Sequence, residues 1–149
     1  MRSHKPDCLV HVILQKHMKE QVLLFHFEDS DRLNAVRKAM LPTHIPCTVI
    51  DAAACDQPLG TFVGLPVAEM PEAPSAELTE EVLVLCGLSD AGIQLVLAAL
   101  RKAGLYIPYK AMLTPTNKDW TVGQLFAELY EEHQAMMAMQ KAKQQEQEK

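Results

Sequence analysis

The chain has no Cys-x-x-Cys pair. Its four cysteines, Cys8, Cys47, Cys55 and Cys86, are scattered, which fits neither a zinc ribbon nor a disulfide framework. Reduced, mostly buried thiols are the reading that fits. There is also no Gly-rich phosphate loop, no Gly-x-Ser-x-Gly elbow and no paired-carboxylate motif of diagnostic spacing, so no reaction class is signalled. Long hydrophobic runs are missing as well. The first apolar run, Cys8 to Leu14, is too short for a signal-peptide core or a membrane span and has no small-residue cleavage site after it, so a cytoplasmic protein with no membrane partner is expected. Positive charge is scarce: 14 Lys and Arg against 19 Asp and Glu leave a net charge of −5. That balance opposes broad binding to nucleic acid or anionic membranes, both of which depend on summed positive charge.

What is present is an ordinary globular balance, 48% hydrophobic and 22% charged over 149 residues, enough for one domain or two tightly joined half-domains with a real core. Two segments follow one plan. In the first, Val22 to Phe27 is a short apolar run suited to a buried strand. Asp29 and Ser30 can cap a helix whose face is Leu33, Val36 and Met40, and Ile45 to Ile50 follows as a second strand with Pro46 at its start. In the second, Val82 to Leu85 is the strand and Ser89-Asp90 the cap. Ile93, Val96, Leu97 and Leu100 form the helical stripe, Gly104 is a left-handed stop, and Ile107-Pro108 opens a strand running to Leu113. Arg37-Lys38 and Arg101-Lys102 fall near the helix ends, where cations favour the negative end of the dipole. The stretches Asp56–Phe62 and Asp119–Leu125 add a third parallel, and the shared order predicts an internal repeat.

The predicted fold is therefore α/β (or α+β): two βαβ-type halves, residues 1–65 and 82–140, sharing one sheet of about four strands with helices packed on it. A ferredoxin-like sandwich is the alternative. Residues 66–81, with three prolines, five acids and no base, read as an acidic linker inside one compact domain. Residues 8–14 suit a strand or a helix. From Thr121 onward the pattern turns helical, with Val122, Leu125, Phe126, Leu129, His133, Met136, Met137 and Gln140 on one stripe, and residues 141–149 form a polar tail.

The most distinctive stretch is Lys110-Ala111-Met112-Leu113-Thr114-Pro115-Thr116-Asn117-Lys118-Asp119-Trp120. Together with Val82–Ser89, Gln57–Gly60 and the Leu125–His133 helix, it resembles a family of small uncharacterised bacterial proteins carrying a Lys-Ala-x-Leu-Thr-Pro-Thr-Asn-x-x-Trp signature. The likeness covers roughly residues 22 to 133. It implies kinship and brings no activity or catalytic residue with it.

The same stretch is the leading candidate site. It follows a strand end, where ligands of α/β sheets collect. Lys110 and Lys118 offer positive charge, Thr114, Thr116 and Asn117 offer hydrogen-bonding groups, and Trp120 and the next helix N-terminus complete a cradle for a small anion. A purely structural turn, with Asp119 or Thr121 as N-cap and Trp120 as a plug, explains the same residues. Other constellations are weaker. His4, Cys8, His11 and His17 have helical zinc-ligand spacing only if their segment is helical, and His44, Cys47 and Cys55 are looser still. Cys86 at a strand end is a candidate nucleophile that a buried small residue explains equally well. No metal and no cofactor are expected. Nucleic-acid binding would need Arg37, Lys38, Arg101, Lys102, Lys110 and Lys118 gathered on one face. Met136, Met137 and Met139 either finish the last helix's packing or mark a face that a second copy covers, which predicts a homodimer through that helix. The sequence thus points to a non-catalytic, regulatory binding or interaction module with an anion or partner site at residues 110–120. The alternative is a small enzyme acting on a phosphorylated metabolite through the same loop.

Overall fold

A computed structural model of the chain describes residues 20–67 and 75–147. The Cys8–Leu14 segment and the His4, Cys8, His11 and His17 set lie outside the described residues. The elements run β1 (Gln21–Phe25), α1 (Ser30–Met40), β2 (Cys47–Ile50), β3 (Val82–Cys86), α2 (Asp90–Lys102), β4 (Tyr109–Met112) and α3 (Val122–Gln147). Short 3-10 turns occupy Leu41–Thr43, Ala52–Ala54, Leu59–Val63 and Asn117–Asp119. The four strands form one sheet in the order β2-β1-β3-β4. The outer pairs β1–β2 and β3–β4 are parallel, and the central pair β1–β3 is antiparallel. This is the expected α/β class, with a single sheet, covering helices and a long final helix. A ferredoxin-like sandwich would put a foreign strand between the two parallel strands of each βαβ unit. Here the strands of each unit are direct neighbours, so that alternative is set aside.

The strand sequences explain their positions. β1 is buried from Val22 to Phe25 and β3 at all five residues, as near-continuous apolar runs require when both faces of a strand are covered. The edge strands are less apolar and more exposed: Thr48 and Val49 of β2 face solvent, as does Met112 of β4. Pro46, with no N–H to give a ladder, sits just outside the edge strand β2.

The pleat divides the sheet's side chains between two cores. Val22, Leu24, Leu83 and Leu85 point to one face, where Val36 and Met40 of α1 and Val96 and Leu100 of α2 meet them. Leu23, Phe25, Val82, Val84 and Cys86 point to the other, against Leu59, Tyr109 and the first turns of α3. Right-handed crossovers attached to oppositely directed strands deliver both helices to the same face, and α1 and α2 do share one. The far face is closed by α3, whose Val122, Leu125 and Phe126 are buried. Tyr109 stands edge-on to both Phe126 (5.2 Å) and His133 (5.4 Å). Helix packing ends there. Met136 and Met137, on the predicted stripe, are 59% and 53% exposed, because α3 has already run past the sheet that would cover them.

Capping follows the sequence. Asp29 Oδ1 accepts from the amides of Asp31 (3.0 Å) and Arg32 (3.3 Å), and Ser89 Oγ accepts from the Gly92 amide (3.1 Å). The left-handed positions that follow β3 and α2 are glycines, Gly87 and Gly104, whereas the matching positions after β1 and α1 hold His26 (φ 63°) and His44 (φ 58°). The described part of the 66–81 segment is tied to the body: the Ala76 amide donates to the Gly123 carbonyl at 3.1 Å, and Ala76 and Leu78 pack on the α3-side core.

Leu23 is fully buried in a central strand. Leu23→Ala should therefore cost about 2–5 kcal/mol in urea unfolding through lost burial and a residual cavity. Leu95→Ala, at a side chain 49% exposed on α2, should stay within about 0.5 kcal/mol.

Candidate functional site

The segment after β4 is built around Asn117. Its Oδ1 accepts from the Thr114 amide at 2.8 Å, and its Nδ2 donates to the Met112 carbonyl at 2.9 Å. Its own amide donates to Thr114 Oγ1 at 3.1 Å. Thr114 and Asn117 therefore satisfy one another, and Asn117 is buried. The turn docks on the Leu59–Val63 segment: the Leu59 amide donates to the Trp120 carbonyl at 2.8 Å, and the Trp120 side chain packs on the α3-side core. A β-carbon at Gly60 would lie 3.1 Å from the Lys118 carbonyl oxygen, so the close approach uses a residue without one. Lys118 Nζ donates to the Pro66 carbonyl and to Asp119 Oδ1, both at 3.0 Å. Thr116 is exposed. Thr121 and Gln124 then form a reciprocal capping box at the start of α3, with Thr121 N to Gln124 Oε1 at 3.0 Å and Gln124 N to Thr121 Oγ1 at 3.3 Å.

Thr114, Asn117, Lys118 and Trp120 are thus brought together in one turn on the α3 side of the sheet. Lys110 is not among them. Along β4, Tyr109 and Ala111 belong to the α3-side core, and Lys110 points to the opposite face. There it lines a groove of about 420 Å³ with Leu97, Leu100, Arg101, Gly104, Leu105 and Tyr106. Its ammonium donates to the Ile107 carbonyl and lies 5.7 Å from the centre of the Tyr106 ring. Partial burial holds the Lys110 pKa below its ordinary value by penalising the charged form. Arg32 of α1 bonds both Glu81 and the Tyr106 carbonyl, so the rim of the groove is fixed from the other half of the molecule.

Arg101 and Tyr106 were not legible as site residues in the sequence. Arg101 read as a cation complementing a helix dipole and as one member of a basic set that nucleic-acid binding would need, and Tyr106 belongs to no periodic pattern. The other basic residues stay apart. Because β1 and β3 are antiparallel, so are α1 and α2, which sets Arg37 and Lys38 at the opposite end of the helical layer from Arg101 and Lys102.

The described cysteines are free and poorly suited to attack. Burial raises the Cys86 thiol to about 12. Cys47 is raised mainly by burial, and Cys55 by burial with Asp51 and Asp56 nearby. A thiolate nucleophile needs the reverse shift. Among the described residues no group of three or more His, Cys, Asp or Glu is arranged to hold a metal ion, and no helix is long and apolar enough to cross a membrane.

Asn117→Ala should cost about 1–3 kcal/mol in chemical denaturation, since it leaves the Thr114 amide and the Met112 carbonyl without their partner. A pH series should expose the Cys86 shift. The unfolded thiol ionises near its ordinary value of 9.0 while the native one holds its proton to about 12. The native state therefore binds the extra proton across that window, and stability falls as pH rises through it. Cys86→Ala should flatten that fall, as read by urea midpoints at successive pH values.

No curated protein and no solved structure matches the chain. Residues 81–136, which run from the start of β3 through β4 and the Asn117 turn into α3, match a family described as a domain of unknown function, DUF3783.

Proposed function

We propose that the chain is a non-catalytic, cytoplasmic binding module with a regulatory role, and that it takes an anionic group in the groove between the end of α2 and β4. Lys110 is the member of the 110–120 segment assigned to the ligand, with Arg101 as its partner. Thr114 and Asn117 are engaged within their own turn, which holds the end of β4 in place, Lys118 is bonded to the Pro66 carbonyl and to Asp119, and Trp120 closes the turn over the core. The observation that carries this reading is the lining of the groove: it contains Arg101 and Lys110 and no acidic residue, in a chain whose net charge is −5.

The chemistry suits a carboxylate or phosphate carried on an apolar body. A guanidinium can grip either oxyanion with paired N–H bonds, and an ammonium adds a point charge. Tyr106 and the flanks of Leu97, Leu100 and Leu105 offer apolar surface beside the charges. The volume falls in the range of about 300–1,000 Å³ typical of small-ligand clefts. The alternative, a small enzyme working on a phosphorylated metabolite, calls for an acid, base or nucleophile within hydrogen-bond reach of the bound group. The groove lining offers no carboxylate, imidazole or thiol, and its one amine, Lys110, is tied to the Ile107 carbonyl, which favours binding over chemistry.

Titration of labelled protein with inorganic phosphate, a nucleotide and a glutamate-rich peptide tests this reading. Shifts should cluster at Leu97–Lys110, and Lys110→Ala or Arg101→Ala should weaken binding by about tenfold or more, the loss expected of one charge-assisted hydrogen bond. Lys118→Ala should leave binding intact. Shifts centred on the Asn117 turn and abolished by Lys118→Ala would move the site to that turn, and no shift with any probe would end the proposal.

A further inference from the structure

The second half of α3 carries a self-complementary seam. The helix has 26 residues, about 39 Å at 1.5 Å per residue. Among the described residues its last ring contact with the sheet is His133 against Tyr109, and every residue from Gln134 to Gln145 is exposed. Along this projecting part, Glu132, Met136, Met139 and Lys143 follow one another at alternating steps of four and three, the spacing of a coiled-coil seam. All four are exposed, with Met136 at 59% and Met139 at 62%. The seam is apolar in the middle, acidic at one end and basic at the other. A surface that must meet its own copy across a two-fold axis needs this self-complementarity.

We propose that two copies of the chain pair antiparallel through this seam, with the two-fold axis passing between Met137 and Ala138. In that register Met136 of each copy packs against the partner's Met139, and Glu132 of each copy faces the partner's Lys143. The charges select both direction and register. A parallel pair would oppose Glu132 to the partner's Glu132 and Lys143 to the partner's Lys143. An antiparallel pair slipped by one heptad would set either Glu132 or Lys143 against a methionine and break the Glu132–Lys143 pairing. Four layers bury less than the roughly 1,200 Å² of a standard stable interface, so the pair forms at high protein concentration and exchanges readily.

Sedimentation equilibrium of the full chain, taken up to concentrations on the order of 1 mM to suit a weak pair, tests the proposal. The wild type should show a monomer–dimer equilibrium. Glu132→Lys and Lys143→Glu, each alone, should weaken it by at least about tenfold, because each sets like charges opposite one another. Mixing the two variants should restore dimer to the wild-type level, since each mixed layer again pairs Glu with Lys. Circular dichroism should show all three proteins equally folded, as these side chains touch no part of the core. A wild type that stays monomeric throughout would overturn the proposal, and so would single variants that dimerise like the wild type, the result expected of a parallel pair or another surface.

Discussion

The structure depends on the antiparallel pairing of β1 with β3. Both strands are apolar on both faces and buried, β1 from Val22 to Phe25 and β3 along its whole length, so neither can remain at an edge. Joining them side by side removes the two most hydrophobic edges at once and leaves the more polar β2 and β4 outside. Their antiparallel sense has consequences well beyond the ladder. It puts α1 and α2 on one face and frees the other for α3 and the Leu59 segment, and it runs α1 and α2 in opposite directions. Two cores on a four-stranded sheet give an 81–136 segment that holds two strands and two helices but borrows its central strand partner from the first half.

That arrangement also sorts the residues of the distinctive 110–120 stretch. A strand exposes successive side chains to opposite faces, so Lys110 goes to the α2 side while Tyr109 and Ala111 go to the α3 side. Beyond the strand, Asn117 closes a turn that the Leu59 segment and Trp120 hold down. The stretch therefore does two jobs. One residue joins a groove with Arg101 and Tyr106, and the rest anchors the start of α3. The Arg32 bridge to Glu81 and to the Tyr106 carbonyl couples the rim of that groove to the first half, so the groove belongs to the whole molecule rather than to one βαβ unit.

Much of the fold was legible because it rests on local patterns. The apolar runs at Val22 and Val82 are short, uninterrupted and bounded by capping residues, which suits interior strands, and Asp29, Ser89 and Gly104 mark helix limits through bonds or dihedrals set within a few residues. Two of the turns were harder to read. His26 and His44 hold left-handed positions without being glycines, and only backbone angles reveal it. The fate of Met136 and Met137 was also not local: a helical stripe states which side chains share a face, and not where the opposing sheet ends.

Among the described residues the sequence by itself determined the main strands and helices, their order and the α/β class, because strand and helix periods, caps and turn residues act over a few neighbours. Only the tertiary structure decided that Lys110 parts company with Thr114, Asn117 and Lys118, and that it meets Arg101 and Tyr106 instead. The reason is geometric. Which face a strand residue joins, and what waits on that face, is fixed by the register and packing of elements distant in the chain, and no short-range pattern carries that information.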